Sequence, residues 1–251
     1  MILKCDQAQL EWRSYLQLSQ DTVGIQEIVE KLDVHTINQN RFSLPSRLVS
    51  KTFLFRWIYR GSAWAYANDF NFSSTSDKLE FWQKVIDEAN LKYRILYKYQ
   101  NSIIAKAQRR EVVVIPSGRE FLFSPSKDKH GAYYWDEKKI VNYINQGFGA
   151  DIMQMTRVIL RKRLRKYPPD KVLPINTIHD DVEYDVDNDP ELLYNICIEL
   201  EEAVKDTPKN MSNYYEFDFN VPLMGEVSFG DNLLHMKKFN REKGKEQFYA
   251  N

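Results

Sequence analysis

The feature that most constrains the fold is an acidic turn within an alternating apolar and polar segment, residues 176–186. The segment NTIHDDVEYDV has an apolar lead-in, a histidine, two adjacent carboxylates, and then alternating apolar and acidic residues. Alternation with a period of two is typical of a β-strand that buries one face. The pattern therefore predicts a β-hairpin with Asp180 and Asp181 at its tip.

Two adjacent carboxylates at a tight turn repel each other at about 4 Å unless a cation or solvent screens them. Because Asp side chains favour turns, the hairpin alone leaves a solvated acidic turn as the alternative. The chain starts with a second short apolar run that ends in an acid, Ile2-Leu3-Lys4-Cys5-Asp6. If this run is a strand beside the hairpin, three carboxylates converge. The sequence then predicts a divalent metal site formed by Asp6, Asp180 and Asp181.

The composition excludes several classes of protein. The 251 residues are 43% hydrophobic and 14% aromatic, which indicates a globular chain of one or two domains. Basic and acidic residues each total 35, so the net charge gives no indication of nucleic-acid binding, although residues 157–171 are locally basic and residues 180–206 locally acidic. Two cysteines are too few for a disulfide framework. Without a signal peptide or a long apolar run, a soluble, cytoplasmic protein is expected.

A second candidate site follows a predicted helix start at Pro45 and Ser46. Two cations and then two aromatic residues recur every four positions, on one gently drifting helix face: Arg47, Lys51, Phe55 and Tyr59. A partly solvated amphipathic helix is one interpretation. A bound nucleoside triphosphate is the other, because phosphates suit the cations and a base suits the aromatic rings.

A third segment carries an entirely polar stripe at the same spacing, formed by Lys138, Asn142 and Gln146 near the start of a predicted long helix. Such stripes commonly face solvent. Asn and Gln can both donate and accept hydrogen bonds, however, which suits the acceptor atoms that all base pairs present in the DNA minor groove. The stripe is therefore a candidate for sequence-independent contact with DNA.

Together these motifs resemble those of DNA polymerase family A, which includes bacterial DNA polymerase I and some phage replicative polymerases. The family's motif A is similar to the run that enters the first predicted helix, Asp6-x-x-Gln9-Leu10-Glu11-x-Arg13. Its motif B is similar to the cationic and aromatic face. Its motif C, normally His-Asp-Glu, is similar to His179-Asp180-Asp181. The similar segments occur in the family's order across residues 2–232.

The resemblance implies that the carboxylates bind two Mg²⁺ ions. Asp6 and Asp180 would bridge the ions, and Asp181 stands where the family has a less critical glutamate. Lys51 is the implied proton donor to the pyrophosphate. The implied reaction is template-directed DNA synthesis, in which ions about 3.5–4 Å apart assist nucleotidyl transfer from a dNTP to a primer 3′-hydroxyl.

The other site residues are implied to bind the nucleotide or the DNA. The nucleotide-binding set comprises Glu11 as a gate against a ribose 2′-hydroxyl, His35, Arg47 and Lys51 at the triphosphate, Phe55 on the nucleotide, and Tyr59 where the templating base enters. The set at the primer-template DNA comprises Lys138, Asn142, Gln146 and, near the primer terminus, His179. The family usually has glycine after the tyrosine. Arg60 stands there instead, which bears on template handling because glycine tolerates positive φ and close approach of DNA.

The implied fold is α+β, with an antiparallel sheet in a polymerase palm and a mostly helical fingers subdomain. The palm is predicted at residues 1–22 and 131–236, the fingers at 23–130, and a mobile tail at 237–251. Thumb and exonuclease domains are expected to be absent, and a palm sheet without its earlier strands exposes an open edge. A split polymerase whose second chain supplies the thumb and remaining palm is therefore expected. A truncated reading frame is the alternative.

Two other functions stay open. One is a catalytically degenerate module that binds DNA or a partner chain. Arg60 is the only departure from the family pattern that favours it, and the retained residues Asp6, Asp180, Arg47 and Lys51 argue against it. The other is an RNA polymerase with the same palm architecture, which Glu11 disfavours because it matches the deoxyribose gate.

Overall fold

The computed structural model describes residues 1–72 and 74–249. The chain divides into two compact units, one formed by Met1–Leu10 with Phe148–Asn251 and the other by Glu11–Gly147. We call them the sheet unit and the helical unit. Their boundaries differ from the predicted subdomain boundaries after residues 22 and 130.

The secondary structure alternates between short strands and longer helices. The strands are β1 (Ile2–Gln7), β2 (Val113–Val114), β3 (Glu120–Phe121), β4 (Ser126–Lys127), β5 (Tyr133–Tyr134), β6 (Val172–Ile178), β7 (Asp181–Val186), β8 (Gly225–Gly230) and β9 (Lys237–Lys238). The α-helices are α1 (Leu10–Ser19), α2 (Thr22–Val29), α3 (Val34–Arg41), α4 (Arg47–Trp57), α5 (Ala63–Ala67), α6 (Leu79–Lys92), α7 (Arg94–Gln108), α8 (Glu137–Leu164) and α9 (Pro190–Tyr215). Two 3₁₀-helices span Phe70–Phe72 and Arg241–Phe248.

The sheet unit is built on a five-stranded antiparallel sheet in the order β6-β7-β1-β8-β9. The predicted first strand and the predicted hairpin are both present, as β1 and as β6 with β7. In the register of β1, Asp6 lies opposite Asp181 on one side and opposite Glu226 on the other. Side chains alternate between the two faces of a strand. Lys4 and Asp6 therefore share one face, while the buried Leu3 and Cys5 occupy the other.

Helix α9 covers the apolar face of this sheet by contact with β1 and β8. Its first turn is capped by Asp189, whose side chain accepts hydrogen bonds from the backbone amides of Glu191 and Leu192. Its buried stripe includes Leu193, Ile196, Cys197, Leu200 and Val204. Because the apolar face is covered in this way, the polar face of the sheet is left for the carboxylates.

Residues 237–249 differ from the predicted mobile tail. Strand β9 pairs with β8, with Lys238 opposite Ser228. Phe248 is buried, and its ring centroid lies 4.5 Å from that of Phe229. The basic residues of this segment led to the prediction of a tail, whereas its apolar residues anchor it to the sheet unit.

The helical unit has an aromatic core. Its largest fully buried side chains include Trp82, Tyr66, Tyr93, Phe53 and Phe72. The predicted start of α4 is confirmed, since the Ser46 hydroxyl accepts a hydrogen bond from the Val49 amide. Helices α6 and α7 follow one another directly in this unit, separated only by Tyr93. An antiparallel sheet and a mostly helical unit confirm the α+β fold class.

Among the residues that the structure describes, every helix is too short or too polar to cross a membrane.

Candidate active site

Three carboxylates of the sheet unit converge where β1 ends and β6 turns into β7. The ligand oxygens of Asp6, Asp180 and Asp181 all lie within 4.8 Å of one another. The turn between the strands consists of His179 and Asp180, and His179 adopts a left-handed conformation with φ of 53° that suits tight hairpin turns. The Gln7 amide donates a hydrogen bond of 3.0 Å to the Asp180 carbonyl. This bond ties the turn to β1, and the expected convergence is present.

The negative charge of this cluster is only partly compensated. Burial and the charges of Asp180, Asp181 and Glu226 raise the pKa of Asp6 to about 6, although Lys4 acts in the opposite direction. The buried Oδ1 of Asp181 has no hydrogen-bond partner among the described residues. Hard divalent cations prefer carboxylate oxygens as ligands. The donor set, the raised pKa and the unpartnered oxygen therefore fit a divalent metal ion.

Lys4 belongs to this site but was not predicted from the sequence. Its Nζ lies 2.7 Å from Asp181 Oδ2, and this hydrogen bond is the main reason that the pKa of Lys4 is raised. It also lies opposite the buried Glu183 in the register of β1 and β7. The available signal was its position two residues before Asp6, which places both side chains on one face of the strand.

A cationic and aromatic cluster lies on α3 and α4 of the helical unit. Arg47 forms two hydrogen bonds with Asp33, Nε to Oδ2 at 2.6 Å and Nη2 to Oδ1 at 3.1 Å. Lys51 Nζ lies 5.9 Å from the centroid of the Phe55 ring. The His35 ring centroid lies 6.4 Å from the same ring. The structure thus brings together four of the residues that were predicted to bind a nucleotide.

His35 is buried and uncharged at neutral pH. Burial, then the charge of Arg47 and to a smaller extent that of Lys51, lower its pKa to about 4, against the opposite effect of Asp33. Its buried Nδ1 has no hydrogen-bond partner among the described residues. The ring therefore packs beside Phe55 with this nitrogen unpaired and shielded from solvent.

Tyr59 lies outside the helix that carries Arg47 and Lys51, although a single helical face was predicted. Helix α4 ends two residues before Tyr59. Arg60 then adopts a left-handed conformation with φ of 60°. A Cβ atom on Gly61 would lie 2.5 Å from the Tyr66 hydroxyl oxygen, so only glycine fits there. The chain thus turns at Arg60 and Gly61, and Arg60 occupies a conformation that glycine adopts more readily.

The Tyr59 hydroxyl belongs to a hydrogen-bond network with Asn145 at its centre. Asn145 Nδ2 donates hydrogen bonds to the Tyr59 hydroxyl at 3.2 Å and to the Glu11 carbonyl at 3.0 Å, and the Ser14 hydroxyl donates to Asn145 Oδ1 at 2.5 Å. Burial and the charge of Glu11 raise the pKa of Tyr59. Asn145 is buried and was not predicted, because the prediction followed the polar stripe of α8 rather than its packed side.

The polar stripe itself is present on α8. Lys138 and Gln146 are exposed, and Asn142 is half-buried. The glycine that follows Gln146 has a packing role, since a Cβ on Gly147 would lie 2.5 Å from Phe121 Cζ. The stripe is thus available for a ligand, while its glycine neighbour accommodates β3.

The sequence matches the model of DNA polymerase family A over residues 1–235. The chain belongs to this family. Among solved structures, the fold is similar to the POL domain of Pol1 from M. smegmatis in complex with DNA primer-template and dNTP, with a TM-score of 0.70 and 19% sequence identity. That similarity covers 91% of this chain and 39% of the other. No match was found among curated proteins.

Family A polymerases use divalent metal ions, and the sheet unit of this family A chain has a suitable cluster. Asp6, Asp180 and Asp181 form the one group of three close potential metal ligands in the part of the chain that the structure describes.

Proposed function

We propose that this family A chain performs template-directed DNA synthesis, with Asp6 and Asp180 as the main ligands of two Mg²⁺ ions. The observation that carries the proposal is the convergence of these residues with Asp181 on the polar face of the sheet. When bound, the ions would supply charge stabilisation at the transferred phosphoryl group and favour ionisation of the primer 3′-hydroxyl.

The helical unit is proposed to bind the incoming dNTP. In this proposal Arg47 and Lys51 bind phosphate oxygens through charge-assisted hydrogen bonds, helped by the uncharged ring of His35. Phe55 packs on the nucleotide. The primer 3′-oxygen bonds to the α-phosphorus, and the bond from the α-phosphorus to the oxygen that bridges it to the β-phosphorus breaks. Lys51 is proposed to give a proton to the pyrophosphate that leaves.

The remaining motif residues are proposed to handle the template and the sugar. Glu11 acts as the gate against a ribose 2′-hydroxyl, with its backbone carbonyl held by Asn145. Tyr59 stands where the templating base enters. The primer-template DNA is contacted by Lys138, Asn142, Gln146 and His179. In this proposal the sheet unit corresponds to the palm and the helical unit to the fingers.

A second chain is proposed to supply the thumb and the remaining palm. Within the described sheet, β6 is an edge strand, and an exposed edge is a natural place for further strands.

Primer extension tests the proposal. The full chain is incubated with primed DNA, dNTPs and Mg²⁺, alone and then mixed with thumb-bearing candidate proteins from the same genome. We expect extension only in the mixture and its loss in Asp180→Asn. The matched control is Asp187→Asn, which removes an exposed carboxylate just beyond the other end of β7. Extension by the chain alone would contradict the need for a partner.

The second candidate function is a catalytically degenerate module that grips DNA or a partner chain. Arg60 favours it, because its guanidinium packs 4.7 Å from the Tyr97 ring centroid at the turn where the family has glycine. DNA binding that persists in both the chain and Asp180→Asn, with no extension by either in any mixture, would replace the polymerase proposal by this one.

A further inference from the structure

An open groove of about 890 Å³ lies within the sheet unit, between α8 and β6. Helix α8 lines it with Arg157 and Arg161, which lie four residues apart and so share one helix face. Arg165 lines it from the turn that follows the end of the helix at Leu164. Strand β6 lines the other side, including Ile175 and Asn176. None of these residues has been placed in the proposed catalytic machinery.

The β6 side of the groove is an exposed strand edge. Ile175, which is 45% exposed, lines the groove. Leu173 and Ile178, which are 50% and 43% exposed, lie opposite Asp185 and Asp181 of β7 and so project from the other face of this edge strand. The register with β7 shifts between Pro174 and Asn176, and proline in a sheet is found on edge strands. Exposed edges of this kind, with apolar side chains, are where an extended polypeptide adds as a further strand.

The α8 side of the groove carries cations without acidic partners. Arg163 of the same helix and Lys166, two residues after its end, each lie 2.6 Å from a carboxylate oxygen of Glu199. The three groove arginines form no ion pair among the described residues, and the nearest hydrogen-bond partner of Arg157 is Gln154 Oε1 at 3.4 Å. Glu199 thus compensates the positive charge on the side that faces away from the groove. The positive charge of the groove arginines has no carboxylate beside it in the described part of the chain, so a ligand would have to supply the negative charge.

The spacing of these cations favours an extended polypeptide. Residues four apart on a helix are separated by about 6 Å along its axis. Side chains two apart on a strand, which point to the same side, are separated by about 7 Å. Acidic residues at two successive same-side positions could therefore face Arg157 and Arg161, while the main chain pairs with β6. Nucleic acid would satisfy the arginines but not the apolar strand edge.

We propose that this groove docks an extended, acidic segment of a partner polypeptide, which adds to β6 as a further strand of the sheet. Acidic side chains of the segment face Arg157, Arg161 and Arg165, and its apolar side chains cover the exposed side chains of β6. The inference rests on the proposed second chain and names the surface and the chemistry by which that chain binds. Its test measures binding alone, so its outcome is separate from that of primer extension.

The test uses synthetic peptides of about ten residues, a usual strand length. The probe alternates glutamate and valine. A second peptide replaces glutamate by lysine, a third carries N-methylated valines that cannot donate main-chain hydrogen bonds, and oligothymidylate serves as the nucleic-acid probe. Affinity for the full chain is measured by fluorescence anisotropy, and the bound site is located by amide hydrogen exchange.

We expect the glutamate peptide to bind and to slow exchange in β6, while the lysine and N-methylated peptides bind at least tenfold more weakly. The combined variant R157E/R161E/R165E should weaken binding at least tenfold, and the three Arg→Gln changes should weaken it less. The matched control is Lys162→Glu, an exposed cation of the same helix outside the groove, which should leave affinity unchanged. Unchanged melting temperatures confirm that the variants fold.

Three results would overturn the proposal. Equal binding of the glutamate and lysine peptides, or protection outside β6, would remove this groove as the site. Binding of oligothymidylate that the charge-reversed variant loses, without peptide binding, would make it a nucleic-acid surface. A dimer in sedimentation velocity that the charge-reversed variant abolishes would make the occupant a second copy of this chain.

Discussion

The two charged clusters differ in how their charge is balanced. In the sheet unit three carboxylates meet, and Lys4 pairs with only one of them, so negative charge remains and the pKa of Asp6 is raised. In the helical unit Arg47 is matched by Asp33, whose carboxyl pKa that bond holds well below its usual range. The first cluster can gain a cation directly. The second must exchange an internal partner before Arg47 binds an anion.

The two clusters differ in whether the unfavourable electrostatic free energy affects the ligand-free protein or the affinity for a ligand. Converging carboxylates destabilise one another until a cation is bound, so their cost appears in the metal-free protein. An internal ion pair does not destabilise the ligand-free protein, but its carboxylate competes with an anionic ligand for the cation. The ion pair therefore lowers the affinity for that ligand. Substitutions in the helical unit should therefore separate the residues that act in the reaction from those that tune binding.

The largest effect is expected for Lys51→Ala. If Lys51 protonates the pyrophosphate, its loss should lower the rate of single-turnover primer extension by about a hundredfold. The control is Lys84→Ala, an exposed lysine on α6, which should extend at the normal rate. A rise in KM with no change in rate would show that Lys51 only binds phosphate.

A smaller effect concerns the pH dependence of stability. The pKa of His35 is lowered to about 4, so between about pH 4 and 6.5 the unfolded chain binds a proton that the folded chain does not. The free energy of unfolding should therefore fall as the pH falls through this window. His35→Gln should reduce that fall by about 2 kcal/mol, less than the full shift because solvent screens part of it.

Urea unfolding at about pH 7 and about pH 4.5 measures this change in the free energy of unfolding. His130→Gln, at an exposed histidine, is the control and should keep the pH dependence of the unsubstituted chain. The same pH dependence in all three chains would mean that His35 is protonated in the fold.

The next effect concerns the sugar gate. If Glu11 excludes the 2′-hydroxyl, Glu11→Ala should lower the ratio of kcat/KM for dNTPs over ribonucleotides by at least about tenfold. Glu30→Ala, an exposed carboxylate at the end of α2, should keep the ratio. An unchanged ratio in Glu11→Ala would remove Glu11 as the gate.

The smallest effect is expected for Asp33→Asn, which sharpens the comparison most directly. Asparagine preserves the cap of α3 but weakens the bond to Arg47. KM for dNTPs should fall roughly two- to fivefold, in line with an exposed ion pair. Asp77→Asn, at an exposed position before α6, is the control. A higher KM would mean that Asp33 orients Arg47 for the phosphate rather than competing with it.

Much of the carboxylate cluster could be predicted because its signals are local. Period-two alternation and a tight acidic turn indicated β6 and β7, and the short apolar run indicated β1. Convergence then followed from pairing of these strands. The start of α4 was likewise indicated by Pro45 and Ser46.

Other features depend on contacts between distant segments. The ion pair of Lys4 with Asp181 depends on strand register, and the role of Asn145 depends on which side of α8 is buried. The turn at Arg60 depends on close packing of Gly61 against Tyr66. Helix α9 has a local signal, an apolar stripe at helical spacing, within the locally acidic residues 180–206.

Mn²⁺ binding tests the carboxylate cluster most directly, with electron paramagnetic resonance measuring the free ion in the presence of the full chain. If Asp6 and Asp180 are metal ligands, Asp6→Asn and Asp180→Asn should each weaken binding at least about tenfold. Asp187→Asn should bind as the unsubstituted chain does, and affinity should decrease below about pH 6 as Asp6 takes up a proton. Equal affinity in all four chains would contradict a metal site at this cluster.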